Sequence, residues 1–353
     1  MSSNKKLKHL LWWGRFDPDY SRNRIIRKLL HESGYKITDF RPRISPLGSI
    51  EFLLSRLRKP DAVWVPTFRQ RDFHPARRYA DKQGIPVIFD PLISGWDKAI
   101  YERKKFQDTD RRAIKLLKWE QSMFSRADLV IADTTLHAQF FIETLDASPE
   151  NIHIIPVGAE EPLFSKQPYK PSKQTEVLFF GSFIQLQGPE VIVNAARLAP
   201  ELQWTMLGNG PLLKTCRQLS SNLDNISFED WLPYGELAAR IGKADILLGI
   251  FGQSPKAGRV IPNKVYQALA CGRPLVTRHS DSYPAILRDN SESGIIFIPP
   301  GDPPALAAAA RMIVNSKVTF SQRCNQARLT YEGYFSEKFV KKALHTALAS
   351  LQL

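Results

Sequence analysis

Cysteine is scarce in this chain of 353 residues. Cys216, Cys271 and Cys324 stand far apart and make no CxxC pair, so neither a disulfide framework nor a zinc site is expected, and the three read as reduced core thiols. Long apolar runs are missing as well. No stretch approaches the roughly 20 residues of a membrane-spanning helix. The opening MSSNKKLKHLLWWGR reaches Arg15 after too short an apolar stretch for a signal peptide, so a cytoplasmic chain, soluble or peripheral on the inner face of a membrane, is expected. No carboxylate cluster fit for a metal appears. The seven histidines do not cluster in sequence. His9, His31, His74, His137, His153 and His345 each have a core or surface explanation, and His279, after PLVT, is the one near the expected site.

Negative charge is short in one place only. Residues 1–130 carry 28 basic against 15 acidic side chains, whereas residues 131–353 carry 21 against 20, so nearly all of the net +14 lies in the front third. An anionic partner follows for that part: nucleic acid, an acidic membrane surface or a phosphorylated ligand. The remaining composition, 43% hydrophobic and 24% charged, is that of a folded chain and excludes disorder and fibrous repeats. The length suits two domains of roughly 150 to 200 residues.

Short apolar runs alternate with helical-period segments, the pattern of βα units on a parallel sheet. Strands are expected at 9–14, 36–40, 62–66, 86–90, 127–133 and 151–156, with a helix at 21–33 whose Ile25, Ile26, Leu29 and Leu30 form one stripe ended by Gly34. The stretch EEPLFSKQPYKPSKQT, between Gly158 and Thr175, lacks periodicity and reads as a linker. A second series then restarts with strands at 176–181, 204–208, 226–230, 244–252, 274–277 and 295–299. Helices are expected at 189–198, 212–219, 234–241, 263–270 and 304–314. The fold class is therefore α/β: two Rossmann-like, doubly wound domains, 1–165 and 173–335, facing a cleft, and a last helix, 336–353, returning to the first domain.

Three glycine turns close strands of the second series: Gly181 with Gly188, Gly208 with Gly210, and Gly249 with Gly252. Glycine lets backbone N–H groups approach a phosphate that a Cβ would obstruct, and tight turning alone explains such glycines about as often. The stretch VIPNKVYQALACGRPLVT, 260–277, is more specific. Pro262 and Asn263 open a helix whose first turn holds Lys264, an unfavourable place for a cation unless an anion sits there. Arg259 stands one loop turn earlier as a second donor of fork geometry. Two solvated surface charges are the plain alternative.

The segments FFGSFIQLQGPEVIVNAARLAP, WTMLGNGP, LPYGELAARIGKADILLGIFG, NKVYQALACGRPLVT and SGIIFIPPGDPPALAAAARMIV, in this order over 176–314, resemble the retaining glycosyltransferases of family 4, which have the GT-B architecture. The first half resembles them in its βα rhythm and its Gly14 loop. The resemblance implies a nucleotide-diphosphate sugar as donor, held mainly by the second domain. Gly181, Ser182 and the Asn263–Lys264 helix start then lie near the diphosphate, Trp231 and Leu232 near the nucleoside and Gln267 near the ribose, with Phe183, Gln187, Gly188, Gly208, Gly210, Val260 and Pro262 as further donor contacts and Gly14 and Arg15 on the donor from the first domain. Arg259 and Lys264 would stabilise the leaving phosphate, and Asp90, closing PVIFD, would orient the acceptor or the reactive sugar. Asp17, Tyr20, Asn23 and Arg24 follow the first strand as acceptor contacts. No metal or cofactor is implied, the sugar nucleotide being a substrate.

The chain departs from the family where a pair of glutamates is common: those positions hold Arg259 and Gln267. Its first glycine loop has Ser182 or Phe183 and Gln187 where Arg and Lys are common. A glutamine amide still bonds a ribose hydroxyl, and a cation gained at Arg259 offsets one lost at Gln187. The implied activity is transfer of a sugar with retention to a carbohydrate or lipid-linked acceptor in cell-surface polysaccharide or lipopolysaccharide assembly. A catalytically silent sugar-nucleotide or polyanion-binding protein of the same fold is the alternative. In the front third, YERKKFQDTDRRAIKLLK with Trp119, joined by Arg22, Arg24, Arg27 and Lys28, reads as a cationic, partly aromatic face for weak contact with an anionic membrane. No nucleic-acid-binding motif accompanies it.

Overall fold

The computed structural model describes residues 8–55, 57–169, 174–316 and 318–353. It divides into two compact units, one running to Val157 and taking back Val340–Leu353, the other Gly158–Phe339.

The first unit holds a wholly parallel sheet in the order β2-β1-β3-β4-β5-β6, built from β1 (His9–Trp13), β2 (Lys36–Phe40), β3 (Ala62–Val65), β4 (Val87–Phe89), β5 (Leu129–Ala132) and β6 (Ile152–Ile154). Side chains alternate across a strand, and in β1, β3, β4 and β5 both faces are buried, which is why those segments read as unbroken apolar runs, while the edge strands β2 and β6 are partly exposed. Leu11, Trp13, Val63, Val65 and Phe89 enter one core. Leu10, Trp12, Ala62, Trp64 and Ile88 enter the other, where Trp12 stacks on Trp64 at 4.9 Å. Val340, Leu344, Ala347 and Leu348 of the last helix, Glu337–Ser350, lie in this second core. The returning helix expected from the sequence therefore closes one face of the first sheet.

The second unit repeats the plan with β7 (Glu176–Phe180), β8 (Gln203–Leu207), β9 (Ile226–Glu229), β10 (Ile246–Leu248), β11 (Leu275–Arg278) and β12 (Ile295–Ile298), all parallel. The order β12-β11-β10-β7-β8-β9 reverses direction between β7 and β10. That is the topological switch point, where two neighbouring strands send their connections to opposite faces and leave a crevice at their carboxyl ends. Val177, Phe179, Trp204, Met206, Ile246 and Leu248 form the core beneath it.

Three expectations need correction. The apolar run 244–252 is a strand only over Ile246–Leu248; Gly249 follows it, packed so closely on Thr277 that a Cβ would lie 2.2 Å from its Oγ1. The stretch read as a linker is in part fixed to the second unit: Phe164 is buried, and the buried Arg273 guanidinium donates to the carbonyls of Gln167 and Pro168. Its residues 170–173 lie outside those described. Finally, a helix at Phe320–Tyr334 was not expected from the sequence. Its buried stripe has helical spacing but consists of Arg323, Cys324, Ala327, Thr330 and Tyr331, which no apolar period marks.

Candidate functional site

Gly181 follows β7 at the switch point with φ +146, and a Cβ there would lie 2.5 Å from Gln187 Oε1 and 2.8 Å from Lys264 Nζ. Glycine is required by both conformation and space. Lys264 sits in the first turn of the helix Asn263–Ala270, whose N-cap, Pro262, offers no side-chain acceptor. Its ammonium donates to Gln187 Oε1 at 2.6 Å and lies 3.7 Å from the centre of the Phe179 ring. Only 5% of the residue is exposed, and burial holds its pKa well below the ordinary lysine value. Three positions picked out in sequence, 181, 187 and 264, are thus brought to one point, with a buried cation and a helix N-terminus beside it.

The other turn glycines do something different from approaching a ligand. A Cβ on Gly208 would lie 2.2 Å from the Gly181 carbonyl oxygen, one on Gly210 2.6 Å from the Phe183 nitrogen, and one on Gly188 2.9 Å from the Gly252 nitrogen. A Cβ on Gly252 would meet the Leu186 carbonyl at 2.4 Å. Three loops interlock backbone to backbone around 181–188, so glycine at 188, 208 and 210 is required by the close approach of the loops. Phe183 is corrected too: it is fully buried against Phe179 at 5.7 Å, a core anchor. Ser182 beside it is half-buried.

Arg259 ends the short helix Pro255–Arg259, and Val260 and Pro262, both half-buried, lead from it into the Lys264 helix. Gly258 is pinned through its carbonyl by the hydroxyls of Ser280 and Ser282. Gln267, one turn after Lys264, is buried, and its amide donates to Tyr234 Oη at 3.3 Å, while that hydroxyl donates to Glu160 Oε1 at 2.8 Å. Tyr234 and Glu160 were missed in sequence because 33 residues separate Tyr234 from Gln267 and 74 separate it from Glu160, and neither belongs to a local pattern. Trp231 is 53% exposed and Leu232 half-buried at the start of the same loop.

In the first unit, Gly14 after β1 has φ +136, and a Cβ would lie 2.9 Å from Asp72 Oδ2, whose carboxylate pairs with Arg69 at 2.5 Å. Arg15 is exposed. Asp17 Oδ1 accepts from the Asp19 amide at 2.9 Å, Tyr20 packs edge-on to Phe68 at 4.9 Å, and Arg24 lies 3.7 Å from Asp19. Asn23 is corrected from acceptor contact to staple: it is buried, donating to the Asp17 carbonyl at 2.7 Å and accepting from Thr67 Oγ1 at 2.7 Å.

Asp90 also departs from expectation. Both its oxygens accept from Arg22 Nε, at 3.0 and 3.1 Å, and Arg22 Nη1 bonds the Ile155 and Pro156 carbonyls. Burial raises the carboxyl pKa, Arg22 opposes this and nearby Asp133 adds to it, for a net rise. Both members are buried, so the Asp90 carboxylate is engaged by Arg22 in the interior, and Arg22 leaves the surface charge to which the sequence assigned it. Asp133 accepts from His137 Nδ1 nearby. The basic segment 101–118 is corrected likewise: in the helix Arg111–Phe124, Leu116, Leu117 and Trp119 pack toward the core, and of its apolar residues Ile114 is the exposed one. What remains outside is a solvated row of cations.

Among the described residues no group of three or more His, Cys, Asp or Glu could hold a metal, and no helix is long and apolar enough to cross a membrane.

Residues 174–316 match the family model described as glycosyl transferases group 1, and residues 29–158 match that of the glycosyl transferase 4-like domain. The D-inositol 3-phosphate glycosyltransferase of Mycobacterium sp. (strain JLS) is 22% identical over 192 residues, 50% of this chain and 43% of that protein. The chain thus aligns with less than half the length of this curated relative. Sucrose-phosphate synthase from Thermosynechococcus elongatus is similar in fold, with a TM-score of 0.77 at 15% identity over 98% of this chain and 99% of that one. Anabaena HepE in complex with UDP and glucose has a TM-score of 0.70 at 14% identity, over 98% of this chain and 100% of that one.

Proposed function

We propose that this chain, which belongs to the group 1 glycosyltransferases, transfers a sugar with retention from a nucleoside diphosphate donor to a carbohydrate or lipid-linked acceptor in cell-surface polysaccharide or lipopolysaccharide assembly. The observation that carries the reading is the meeting of Gly181, Gln187 and the buried Lys264 at the switch point of the second sheet. A buried ammonium is disfavoured by desolvation until an anion arrives, so the site gains most from a ligand that brings negative charge. The diphosphate lies on the Gly181–Ser182 backbone and the Asn263 helix start, with Lys264 on its oxygens and Arg259 approaching from the preceding loop. Gln187 exchanges its bond with Lys264 for one to the ligand. The ribose lies against Gln267 and Tyr234, and the base against the exposed Trp231. HepE in complex with UDP and with UDP-glucose supports a uridine nucleotide as donor.

In the transfer, the bond from the anomeric carbon to the diphosphate breaks and the acceptor hydroxyl attacks from the same face, its proton passing to the departing phosphate. The enzyme's task is to hold that growing negative charge in a water-poor site. There a fixed ammonium and uncapped helix amides act more strongly than in water, because they need no reorganisation. The reaction proceeds without cofactor, and the first unit supplies acceptor contacts through Asp17, Tyr20 and Arg24 beside Gly14 and Arg15. The protein acts in the cytoplasm, against the inner face of the membrane.

The test is a panel of sugar nucleotides with and without cell-envelope glycan extracts, following released nucleoside diphosphate and the mass of the product. A retained anomeric configuration in the product and unchanged turnover with EDTA are expected. Donor binding by calorimetry without turnover on any acceptor would instead favour a silent sugar-nucleotide-binding protein, and absence of binding for every donor overturns the site.

A further inference from the structure

Six large apolar side chains, Ile44, Leu47, Ile50, Leu53, Leu54 and Leu57, lie exposed within fourteen consecutive residues, Leu54 at 82%. They occupy the turn Ser45–Leu47, the helix Gly48–Leu54 and the chain just after it. The helix is anchored from its other side. Gly48 approaches Trp13 so closely that a Cβ would lie 3.1 Å from the indole, and buried Phe52 packs on Trp13, Phe40 and Tyr79. Glu51 accepts from the Arg43 amide through both oxygens, at 3.0 and 2.9 Å, fixing the turn to the helix. The apolar ridge is therefore held outward by a rigid base. A ridge of this kind marks a surface that meets another apolar phase, since single exposed apolar residues are ordinary but a contiguous set is not.

Charge selects the phase. Arg41 and Arg43 precede the ridge, and Arg58 and Lys59 follow it, all four exposed. Because β2 and β3 both run parallel to β1, the helix between them runs back from the carboxyl edge of the sheet to its amino edge. It delivers Arg58 and Lys59 to a cavity of about 680 Å³ there, lined also by His9, Lys36 and Asp61. His9 is 8% exposed, and its Nε2 meets Thr38 Oγ1 at 2.8 Å. Burial lowers its pKa, Lys36 and Arg58 add to this, and the Lys59 backbone and Asp61 oppose it. Asp61, the acid in the lining, already accepts from the His9 amide at 2.7 Å. Apolar ridge, flanking cations and a cavity lined by Lys36, Arg58 and Lys59 against the single acid Asp61 are the parts of a surface for a bilayer that carries phosphate.

We propose that this face of the first unit docks on an anionic phospholipid membrane, the ridge 44–57 entering the interface and the cavity of His9, Lys36, Arg58 and Lys59 taking a lipid phosphate. The inference rests on the reading of a protein that works against a membrane, and it places the contact away from the helix Arg111–Phe124. The docking face and the donor site lie in separate units, so each can be tested without disturbing the other.

The experiment is sedimentation at low salt of the full chain with phosphatidylcholine vesicles and with vesicles of phosphatidylcholine and phosphatidylglycerol in equal parts. Donor affinity and calorimetry with inorganic phosphate are measured alongside. Wild type is expected to bind the anionic vesicles at least about tenfold more tightly than the neutral ones. Ile50→Glu with Leu54→Glu, both at exposed positions, is expected to lower binding to anionic vesicles at least about tenfold. Lys36→Ala with Arg58→Ala is expected to remove the anionic preference, and all variants keep donor affinity. Sedimentation of wild type with neither vesicle overturns membrane docking while leaving the transferase reading to its own donor assay. Undiminished binding by the ridge variant, or loss of binding in Lys115→Ala with Lys118→Ala instead, moves the contact elsewhere and overturns this face. Phosphate binding that needs Lys36 and Arg58, with vesicle binding indifferent to them, makes the cavity a site for a free phosphate and overturns its lipid role.

Discussion

Lys264 donates to Gln187 across 77 residues of sequence, at 2.6 Å, directly over the ring of Phe179. A cation has been placed in the first turn of a helix, where the macrodipole opposes it, and buried as well. Such an arrangement is costly in the empty protein, and an anion at the helix start would relieve it, which is the ground of the donor site proposed above.

Lys264→Ala removes the ammonium that lies against the Gly181 turn. A loss of about 100- to 1,000-fold in kcat/KM for the donor is expected, of the size seen when one fixed donor to a developing negative charge is deleted. Donor affinity by calorimetry should weaken in parallel, with far-UV circular dichroism unchanged.

Stability of the ligand-free protein should rise with pH on the alkaline side of neutrality. The folded state lowers the Lys264 pKa by burial, so between the folded value and the ordinary lysine value the unfolded chain binds more protons, and raising the pH favours folding. Urea midpoints measured through this range should climb in wild type and climb less in Lys264→Met. A flat profile in wild type would remove the claim of a buried, depressed lysine.

Gly181→Ala and Gly208→Ala separate ligand approach from loop packing. In the first, the new methyl meets side-chain atoms of Gln187 and Lys264, so donor affinity falls at least tenfold with a stability cost of about 1–3 kcal/mol for the left-handed backbone. In the second it meets the Gly181 carbonyl itself, so the loss appears first in the urea midpoint. Equal effects on both readouts would contradict the distinction.

Arg22→Met strands Asp90 without its partner in a buried setting, which costs about 3–5 kcal/mol. Asp90→Asn keeps shape and one acceptor and should cost less. If Asp90 is a positioning residue, Asp90→Asn lowers Tm with a modest change in kcat per folded molecule; a loss of several orders of magnitude in kcat at unchanged Tm would return it to the catalytic group.

Tyr234→Phe removes the hydroxyl that joins Gln267 to Glu160. Donor KM should rise about three- to tenfold, on the scale of one lost hydrogen bond, with kcat little altered. Gln267→Ala should then add little further, because the two residues act as one contact.

Much of the fold was legible because its signals are local. Each of the twelve segments expected as strands holds one, ten of them closed by glycine, proline or aspartate, and Gly34 and Gly272 stop the helices they follow. Local signals failed where burial is made of other residues, as in the helix Phe320–Tyr334 with its stripe of Arg323, Ala327 and Thr330. They also failed where apolar residues lie outside, since Leu53 and Leu54 read in sequence like any core pair and the helix they sit on turns them to solvent.

The sequence by itself determined that the chain is two parallel α/β units with its charge in the first, and that Gly181 closes a strand while Lys264 stands in the first turn of a helix, because period, turn chemistry and helix-end electrostatics act over a few residues. Only the tertiary structure decided what each polar group faces. It pairs Arg22 with Asp90, removes Asn23 and Phe183 to the interior, sets Gly208 and Gly210 against backbone, and joins Gln267 to Tyr234 and Glu160. Those outcomes depend on which segments the strand order brings side by side, and a side chain's worth as a ligand, a staple or a counter-charge is fixed by neighbours that lie tens of residues away along the chain.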